Sequence, residues 1–306
     1  MADDPKCGPC SLQRLYWVPM RVVMVGAGGQ LGRELRKTLP ADTTVALERS
    51  DLDVCDGDAV STRIAALGPD VIINVAADNR VDAAETAPAD AVGVNVLGAA
   101  SLARASRDTE AFLIQVSTDY VFDGCTTRPY TEDDVPNPLG AYGRSKLAGE
   151  LMVRTIAPRH AIIRTSGLYA AGGTRAKGGS FIDRILEKAR AGEPLRVVDD
   201  QVTSPTWARD LAVALNRLLP RFVGGDAPPG VYHITNGGAC SWYEFARAVL
   251  DLTGVETEIA PIQTQHRPAL ALRPGYSVLA NARLAALGEP PLRSWRDALV
   301  AYLKNP

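Results

Sequence analysis

The stretch at residues 21–39, "RVVMVGAGGQLGRELRKTL", decides the fold that the sequence predicts. It begins with a short β-branched run, which is typical of a buried strand and ends in glycines. Leu31, Leu35 and Leu39 then recur at helical spacing. The segment therefore predicts a strand, a glycine turn and a helix in direct succession.

The turn between this strand and helix carries Gly26, Gly29 and Gly32 in a GxxGxxG spacing. Glycines here permit a tight turn, close approach of the backbone to a pyrophosphate, and close packing of helix on strand. The spacing departs from GxGxxG, because Leu31 takes the place of the third glycine of that pattern. We predict a dinucleotide-binding loop that also includes Gln30.

Apolar strands alternate with helices as far as residue 166. Strands are predicted at "TTVALE" (43–48), "DVIINVAA" (70–77), "AFLIQVSTDYVF" (111–122) and "HAIIRTSGLY" (160–169), and helices at about 56–67 and 89–108. This alternation is typical of a parallel sheet covered on both faces. Residues 20–166 are therefore predicted to form a Rossmann-type, doubly wound α/β dinucleotide-binding domain.

From residue 167 onward the elements become shorter and are separated by stretches rich in glycine and proline. The segments 180–192 and 241–254 read as amphipathic helices, and Ser241 with Glu244 has the spacing of a capping box. Residues 167–306 are predicted to form mainly a smaller C-terminal α/β substrate-binding lobe, with segments that return to the sheet.

Composition excludes several classes of function. The chain has 306 residues, 22% of them charged, and a formal net charge of −2 without a block of Lys or Arg. A nucleic-acid partner is therefore not expected. No apolar run approaches the roughly 18 residues of a membrane helix, and the N-terminus lacks the apolar core of a secretory signal. Five scattered cysteines favour a reducing cytoplasm over a disulfide framework.

Residues 7–10 read "CGPC", a sequence found in dithiol oxidoreductases. A redox CxxC needs a helix N-terminus directly after a buried strand, because the helix dipole lowers the pKa of the first thiol. The preceding "MADDPK" is too short and too polar to be that strand. Residues 1–19 are predicted to be a flexible extension, and the motif to match by chance.

The identity of the dinucleotide depends on charges near the end of the second strand. A carboxylate there binds the ribose 2′-hydroxyl of NAD, whereas an arginine accommodates the 2′-phosphate of NADP. This chain has both, as Glu48 and Arg49, with Arg33 near the glycine loop. Asp53 and Val54 are predicted to flank the adenine. We expect NADPH as cofactor, with NADH as the alternative.

Tyr142 and Lys146 stand four apart in a stretch of good helix formers, which places both on one helix face. A nearby ammonium favours the phenolate form of a tyrosine and lowers its pKa. Upstream, the strand in 111–122 ends in Ser117, Thr118 and Asp119, at the sheet edge where ligands of such folds bind. Thr118, Tyr142 and Lys146 together predict a carbonyl-reducing set.

These motifs resemble the extended short-chain dehydrogenase/reductase superfamily and, more narrowly, the dTDP-4-dehydrorhamnose reductase family. The resemblance runs from about residue 20 to 303 and includes "STDYVFDG", "PLGAYGRSKLAGE" and "VVDDQVTSPTWARDLA". It implies hydride transfer from NADPH to the 4-keto carbon of a dTDP-4-dehydro-6-deoxyhexose, with dTDP-4-dehydro-L-rhamnose as the expected substrate.

The resemblance also implies roles for individual residues. Tyr142 would donate the proton, Thr118 would polarise the ketone, and Lys146 would hold the nicotinamide ribose. Ala76, Ala77 and Asn79 match a cofactor-lining loop, whereas the substrate-side positions are Ser117, Asp119, Tyr120, Gly167 and Arg267.

One position departs from the family. Many members have tryptophan in "RTSWLY", where this chain has Gly167. The change removes an apolar contact and keeps open a different nucleotide-linked deoxysugar, as in antibiotic glycosylation. A non-catalytic NADP-binding regulatory subunit, similar to the β subunit of methionine adenosyltransferase, is a further alternative. No metal site is expected from the scattered histidines, and a homodimer is left open.

Overall fold

The computed structural model describes residues 20–173, 179–266 and 269–305. The strands, in chain order, are β1 (Val22–Val25), β2 (Thr44–Leu47), β3 (Val71–Asn74), β4 (Phe112–Thr118), β5 (His160–Thr165), β6 (Leu168–Tyr169), β7 (Leu195–Val198), β8 (Val202–Thr203), β9 (Thr206–Trp207), β10 (Gly230–His233), β11 (Cys240–Ser241) and β12 (Ile259–Ile262).

The α-helices are α1 (Gln30–Thr38), α2 (Gly57–Leu67), α3 (Ala83–Thr86), α4 (Pro88–Val92), α5 (Ala99–Asp108), α6 (Ala141–Ile156), α7 (Phe181–Arg190), α8 (Ala208–Gly224), α9 (Trp242–Thr253), α10 (Ala282–Ala286) and α11 (Trp295–Lys304). A π-helical segment, Gly93–Gly98, joins α4 to α5, and short 3₁₀ turns lie at Asp119–Val121 and Thr264–His266.

Six parallel strands form the central sheet in the order β10-β5-β4-β3-β1-β2. The order reverses between β1 and β3, and ligands of open α/β sheets bind at such a switch point, outside the carboxyl ends of the strands. The predicted Rossmann-type parallel sheet is thus confirmed.

The two faces of the sheet are covered by different helices. Val22 and Met24 of β1 point into a core shared with α1 and α8, whereas Val23 and Val25 point into a core shared with α2, α5 and α6. Alternate side chains of one strand thus fill opposite faces, which explains why the strand sequences are apolar throughout.

A third core joins α7, α9 and α11 with β7. The predicted capping box of α9 is present, since Ser241 Oγ accepts from Glu244 N (3.0 Å) and Glu244 Oε2 accepts from Ser241 N (2.8 Å). The chain also crosses back, because β10 pairs with β5 and α8 packs on α1. The domain boundary at residue 167 stays a prediction.

Two predicted elements differ in detail. The helix at 89–108 contains the π-helical segment, and the strand at 160–169 is broken between β5 and β6. The break coincides with Gly167, whose φ of +55° lies in the left-handed region, so the chain turns out of the sheet there.

Candidate active site

The backbone of the glycine loop lies in close contact with neighbouring backbone segments, as its sequence predicts. Gly26 has φ +90°, and a Cβ on it would lie 2.5 Å from Ala76 N. A Cβ on Gly32 would lie 2.7 Å from Ala27 Cα, which explains how closely α1 packs on the turn. The N-cap of α1, Gly29, has no side chain to cap the first turn, so backbone N–H groups there suit a phosphate. The loop therefore fits a dinucleotide pyrophosphate.

A cavity of about 310 Å³ opens at the carboxyl ends of the central strands. It brings together most of the predicted site residues, which come from the glycine loop and the start of α1, the loop after β3, the end of β4 with the turn that follows it, α6, and the turn between β5 and β6. They are Gly29, Gln30, Leu31, Ala77, Asn79, Ser117, Thr118, Asp119, Tyr120, Tyr142, Lys146 and Gly167.

Other predicted residues do not line this cavity. Gly26, Gly32 and Ala76 lie in the close contacts of the glycine loop. Val54 is buried against Gly98, where a Cβ would lie 2.6 Å from Val54 Cγ2.

The other two adenosine predictions, Asp53 and Arg49, follow β2. Asp53 Oδ1 accepts from Cys55 N (3.0 Å), and Arg49 is exposed. The adenosine-side roles of Arg49, Asp53 and Val54 remain predictions. Arg267 and the "CGPC" motif lie outside the described residues.

Tyr142 and Lys146 lie on one face of α6, as the four-residue spacing predicts. Lys146 is 4% exposed, and its Nζ donates to Val116 O (2.8 Å). Burial lowers the pKa of Lys146 to about 8, and the negative charge of Glu150 opposes that shift. At neutral pH the side chain is therefore an ammonium.

Burial raises the pKa of Tyr142, and a hydrogen bond with Thr118 only partly opposes this. The sequence predicted that the Lys146 ammonium lowers the pKa of this phenol, whereas in the structure burial raises it. A protonated Tyr142 can donate a proton, which is the state that reduction of a ketone requires.

Thr118 ends β4, and the 3₁₀ turn that follows fixes its hydroxyl. Thr118 Oγ1 accepts from Tyr120 N (3.2 Å) and donates to Asp119 Oδ1 (3.0 Å). Ser166 Oγ donates to Asp119 Oδ2 (2.8 Å), and burial raises the pKa of this carboxyl. Tyr120 packs edge-on against Tyr142 with ring centroids 5.8 Å apart. Thr118 and Tyr142 both line the cavity at the carboxyl end of the sheet.

The loop after β3 is held by Asn95, which sequence reasoning did not select. Asn95 Oδ1 accepts from Asp78 N (3.0 Å), and its Nδ2 donates to Asp78 O (3.0 Å) and Ser145 Oγ (2.9 Å). Asn95 lies in the π-helical segment, so this segment links the loop that carries Ala77 and Asn79 to α6.

The C-terminal half forms one wall of the cavity, and the sequence analysis did not predict these lining residues. Its residues come from segments that are far apart in sequence: Leu168, Gln201, Val202, Thr203, Trp242, Pro274 and Ser277. The available signal was the stretch "VVDDQVTSPTWARDLA", which carried the family resemblance but gave no role to a particular side chain. Further lining residues from the first half are Val75, Val81, Val116 and Thr165.

Two arginines near the glycine loop are engaged in contacts within the protein. Arg36 Nη2 lies 3.1 Å from Glu48 Oε1. Arg33 donates to the carbonyl oxygens of Gly28 (2.9 Å), Ala171 (2.9 Å) and Gly173 (2.8 Å). Arg33 therefore ties the glycine loop to the segment after β6.

Among the described residues, no group of three or more His, Cys, Asp or Glu side chains is placed to hold a metal ion. Within the same residues, no helix is long and apolar enough to cross a membrane.

A parallel Rossmann sheet whose glycine loop opens into a cavity with Thr, Tyr and Lys defines an oxidoreductase of the extended short-chain dehydrogenase/reductase class. Comparison with known proteins narrows this class. The family model described as RmlD substrate binding domain matches residues 20–306. The chain belongs to this family, which confirms the resemblance predicted from the sequence.

Individual relatives agree with this assignment. A dTDP-4-dehydrorhamnose reductase of Streptomyces griseus is 41% identical over 283 residues, 91% of each chain. A dTDP-4-keto-6-deoxy-D-glucose reductase of Streptomyces niveus is 37% identical over 283 residues, 91% of this chain and 95% of the relative. The crystal structure of dTDP-4-dehydrorhamnose reductase from Bacillus anthracis in complex with NADP has a TM-score of 0.88 and 33% identity, covering 94% of this chain and 99% of that one.

Proposed function

We propose that the protein reduces the 4-keto group of a dTDP-4-dehydro-6-deoxyhexose with NADPH, and that it converts dTDP-4-dehydro-L-rhamnose to dTDP-L-rhamnose. The observation that carries the proposal is the meeting of Thr118, Tyr142 and Lys146 in the cavity that the glycine loop opens. The activities for which the reductase relatives are named support the substrate class.

The glycine loop and the first turn of α1 would hold the pyrophosphate of the cofactor, and Ala77 and Asn79 would line its nicotinamide side. When bound, NADPH supplies the hydride that the ketone carbon accepts. Arg49 would bind the 2′-phosphate of NADPH, because Arg33 is bound to backbone carbonyls and Arg36 to Glu48.

The side chains of the protein supply the proton that the reduced ketone takes up. Thr118 turns its hydroxyl from Asp119 to the ketone oxygen, and Tyr142 donates its proton to the alkoxide that develops there. The Lys146 ammonium then stabilises the phenolate that Tyr142 has become. Both hydroxyls lie at the carboxyl end of the sheet, so they can reach the same oxygen atom.

A different deoxysugar is the second candidate. Gly167 has φ +55°, and a Cβ on it would lie 3.0 Å from Pro205 Cα, so the backbone itself disfavours a tryptophan there. The cavity thus lacks the side chain that many family members place beside the sugar. The Streptomyces niveus relative, named as a reductase of dTDP-4-keto-6-deoxy-D-glucose, supports this candidate.

We further propose a cytoplasmic location. The described cysteines, Cys55, Cys125 and Cys240, are all free, which suits a reducing compartment. A homodimer stays a prediction.

The test is a panel of dTDP- and UDP-linked 4-keto sugars, assayed for oxidation of NADPH and of NADH. Turnover of dTDP-4-dehydro-L-rhamnose with NADPH is the expected result, and turnover of a different sugar alone would favour the second candidate. Tyr142→Phe should abolish turnover and leave NADPH binding near normal. Tyr243→Phe, on α9 and outside the cavity, is the matched control. Turnover by Tyr142→Phe at the parent rate would contradict the assigned proton donor.

A further inference from the structure

Glu150 continues the line of Tyr142 and Lys146 along α6. The three residues are spaced by four, so their side chains lie one above another on one helix face. The side chain of Glu150 is only 2% exposed. Carboxylates are rarely buried to this degree without partners.

The Glu150 carboxylate binds both strands beneath the site. Ser117 Oγ donates to Oε1 (2.5 Å), while Arg164 donates through Nε to Oε1 (3.0 Å) and through Nη2 to Oε2 (2.6 Å). Ser117 of β4 and Arg164 of β5 are register partners. One carboxylate thus joins α6 to two neighbouring strands immediately behind the catalytic pair.

Lys146 lies in the same buried region. Its Nζ donates to Val116 O, the residue before Ser117. Burial lowers the pKa of Lys146 and the charge of Glu150 raises it. Other elements place further ionisable groups along the same helix: Asp78, Asp119 and Tyr120 act on Tyr142, Glu85 accepts from Ala141 N, and Arg164 binds Glu150.

We propose that Glu150 is a positioning residue for the Tyr142–Lys146 pair: its carboxylate fixes α6 against β4 and β5 and is the buried counter-charge of the Lys146 ammonium. The inference rests on the proposed function for its catalytic meaning, because only a reductase uses this pair. The contacts of Glu150 themselves do not depend on the substrate.

The isosteric variant Glu150→Gln separates the two parts of this role. A glutamine carbonyl can still accept from Ser117 or Arg164, so much of the packing survives, whereas the negative charge is lost. If Glu150 only holds the helix, the protonation of Lys146 should not change. If it is the counter-charge, the ammonium loses its stabilising partner.

The first test measures Lys146 directly, in the full chain without substrate or cofactor. The chain has six lysines, so lysine labelled with ¹³C at Cε gives few resonances, and Lys146→Met assigns the one of interest. We expect Lys146 in Glu150→Gln to titrate about one pH unit below the parent. An unchanged titration would overturn the proposal, whether or not the chain reduces any of the sugars tested.

The control is Glu34→Gln. Glu34 is also a buried glutamate on a helix, paired with Lys37 (2.7 Å) and Arg209 (2.9 Å) but outside the cavity lining. This variant should leave the Lys146 titration at the parent value. A shift equal to that in Glu150→Gln would mean that general loss of stability moves the titration, and would count against the proposal.

The second test is kinetic, with the sugar that the parent reduces. Glu150→Gln should lower kcat on the order of tenfold at pH 8 with little change in KM, and should move the alkaline limb of the rate profile to lower pH. The double variant Glu150→Gln/Arg164→Gln removes the whole buried pair and covers the case in which the single variant fails to fold. It should show the same shifted limb, and a parent-like limb in the double variant would refute the counter-charge.

Discussion

The buried Lys146 ammonium lowers the stability of the fold, although the proposed reaction needs it in that position. It is almost fully buried, and Glu150, the charge that supports it, is already paired with Arg164. A buried amine whose pKa falls to about 8 binds its proton less tightly in the folded than in the unfolded chain. Between pH 8 and the pKa of Lys146 in the unfolded chain, the lysine is protonated in the unfolded chain but not in the folded one. The free energy of unfolding therefore increases as pH rises through this range.

We therefore predict that Lys146→Met is inactive but more stable than the parent at pH 7, by about 1–3 kcal/mol. The difference should shrink as pH rises from about 8 toward 10.5, because the parent lysine then loses its proton in the folded state. Urea unfolding at pH 7, 9 and 10 measures it. Lys188→Met, at an exposed lysine of α7, should show no such pH-dependent difference. A variant less stable than the parent at every pH would contradict the argument.

Gly26 combines two restrictions that can be separated by mutation. Its φ is +90°, and a Cβ would overlap the backbone of Ala76 at 2.5 Å. Gly192, after α7, has φ +71° with nothing within 4 Å of a Cβ. Gly26→Ala should cost at least about 3 kcal/mol and abolish cofactor binding, whereas Gly192→Ala should cost only about 1 kcal/mol. Equal losses in urea unfolding would show that the backbone conformation alone matters at Gly26.

At the level of single residues, the sequence predicted those parts of the site that depend on local spacing. Tyr142 and Lys146 could be paired because four residues make about one helical turn. The contact of Lys146 with Val116 O and the place of Trp242 in the cavity could not be predicted, since both depend on how distant segments pack.

At the scale of the elements, α6 packs closely against the π-helical segment at Gly149. A Cβ on Gly149 would lie 2.1 Å from Asn95 O, so the helix must approach the segment without a side chain. The same segment places the Asn95 side chain against Ser145 and the loop after β3. The position of α6, and with it that of Tyr142, therefore depends on this contact.

We predict that Gly149→Ala displaces α6, lowering stability by about 2 kcal/mol or more and kcat on the order of tenfold. The control is Gly224→Ala at the end of α8, where only Asp226 Oδ2 comes within 4 Å of a Cβ, at 3.9 Å. That variant should unfold close to the parent. Thermal unfolding and the reductase assay test both variants, and full activity of Gly149→Ala would show that α6 is not held by this contact.

The elements that the sequence predicted are those with a local signal. Helical spacing of leucines gave α1, and the Ser241–Glu244 spacing gave the start of α9. The π-helical segment has no such signal, because one wider turn leaves the apolar pattern of the helix nearly unchanged. β10 was not singled out, because a four-residue apolar run does not show which sheet it joins.

On the scale of the whole molecule, the central sheet is completed from beyond residue 166. β10 covers the edge of β5, and α8 packs on α1 over the core that includes Leu31 and Leu35. Without β10 and α8, an edge strand and a large apolar face of the sheet would be open to water. Such a face is costly to expose and favours aggregation.

We therefore predict that residues 20–166 alone do not fold, although they contain the glycine loop and Tyr142. The fragment should lack a cooperative thermal transition and a dispersed amide NMR spectrum, because the face of its sheet that α8 covers would be exposed to water. The matched comparison is the chain from residue 20 to 306, which lacks only the segment with the "CGPC" motif and should keep both folding and activity. Loss of activity in that longer form would reopen a dithiol role for the motif. A cooperative, cofactor-binding fragment 20–166 would show instead that the dinucleotide-binding part is an independent domain, and that β10 and α8 only extend it.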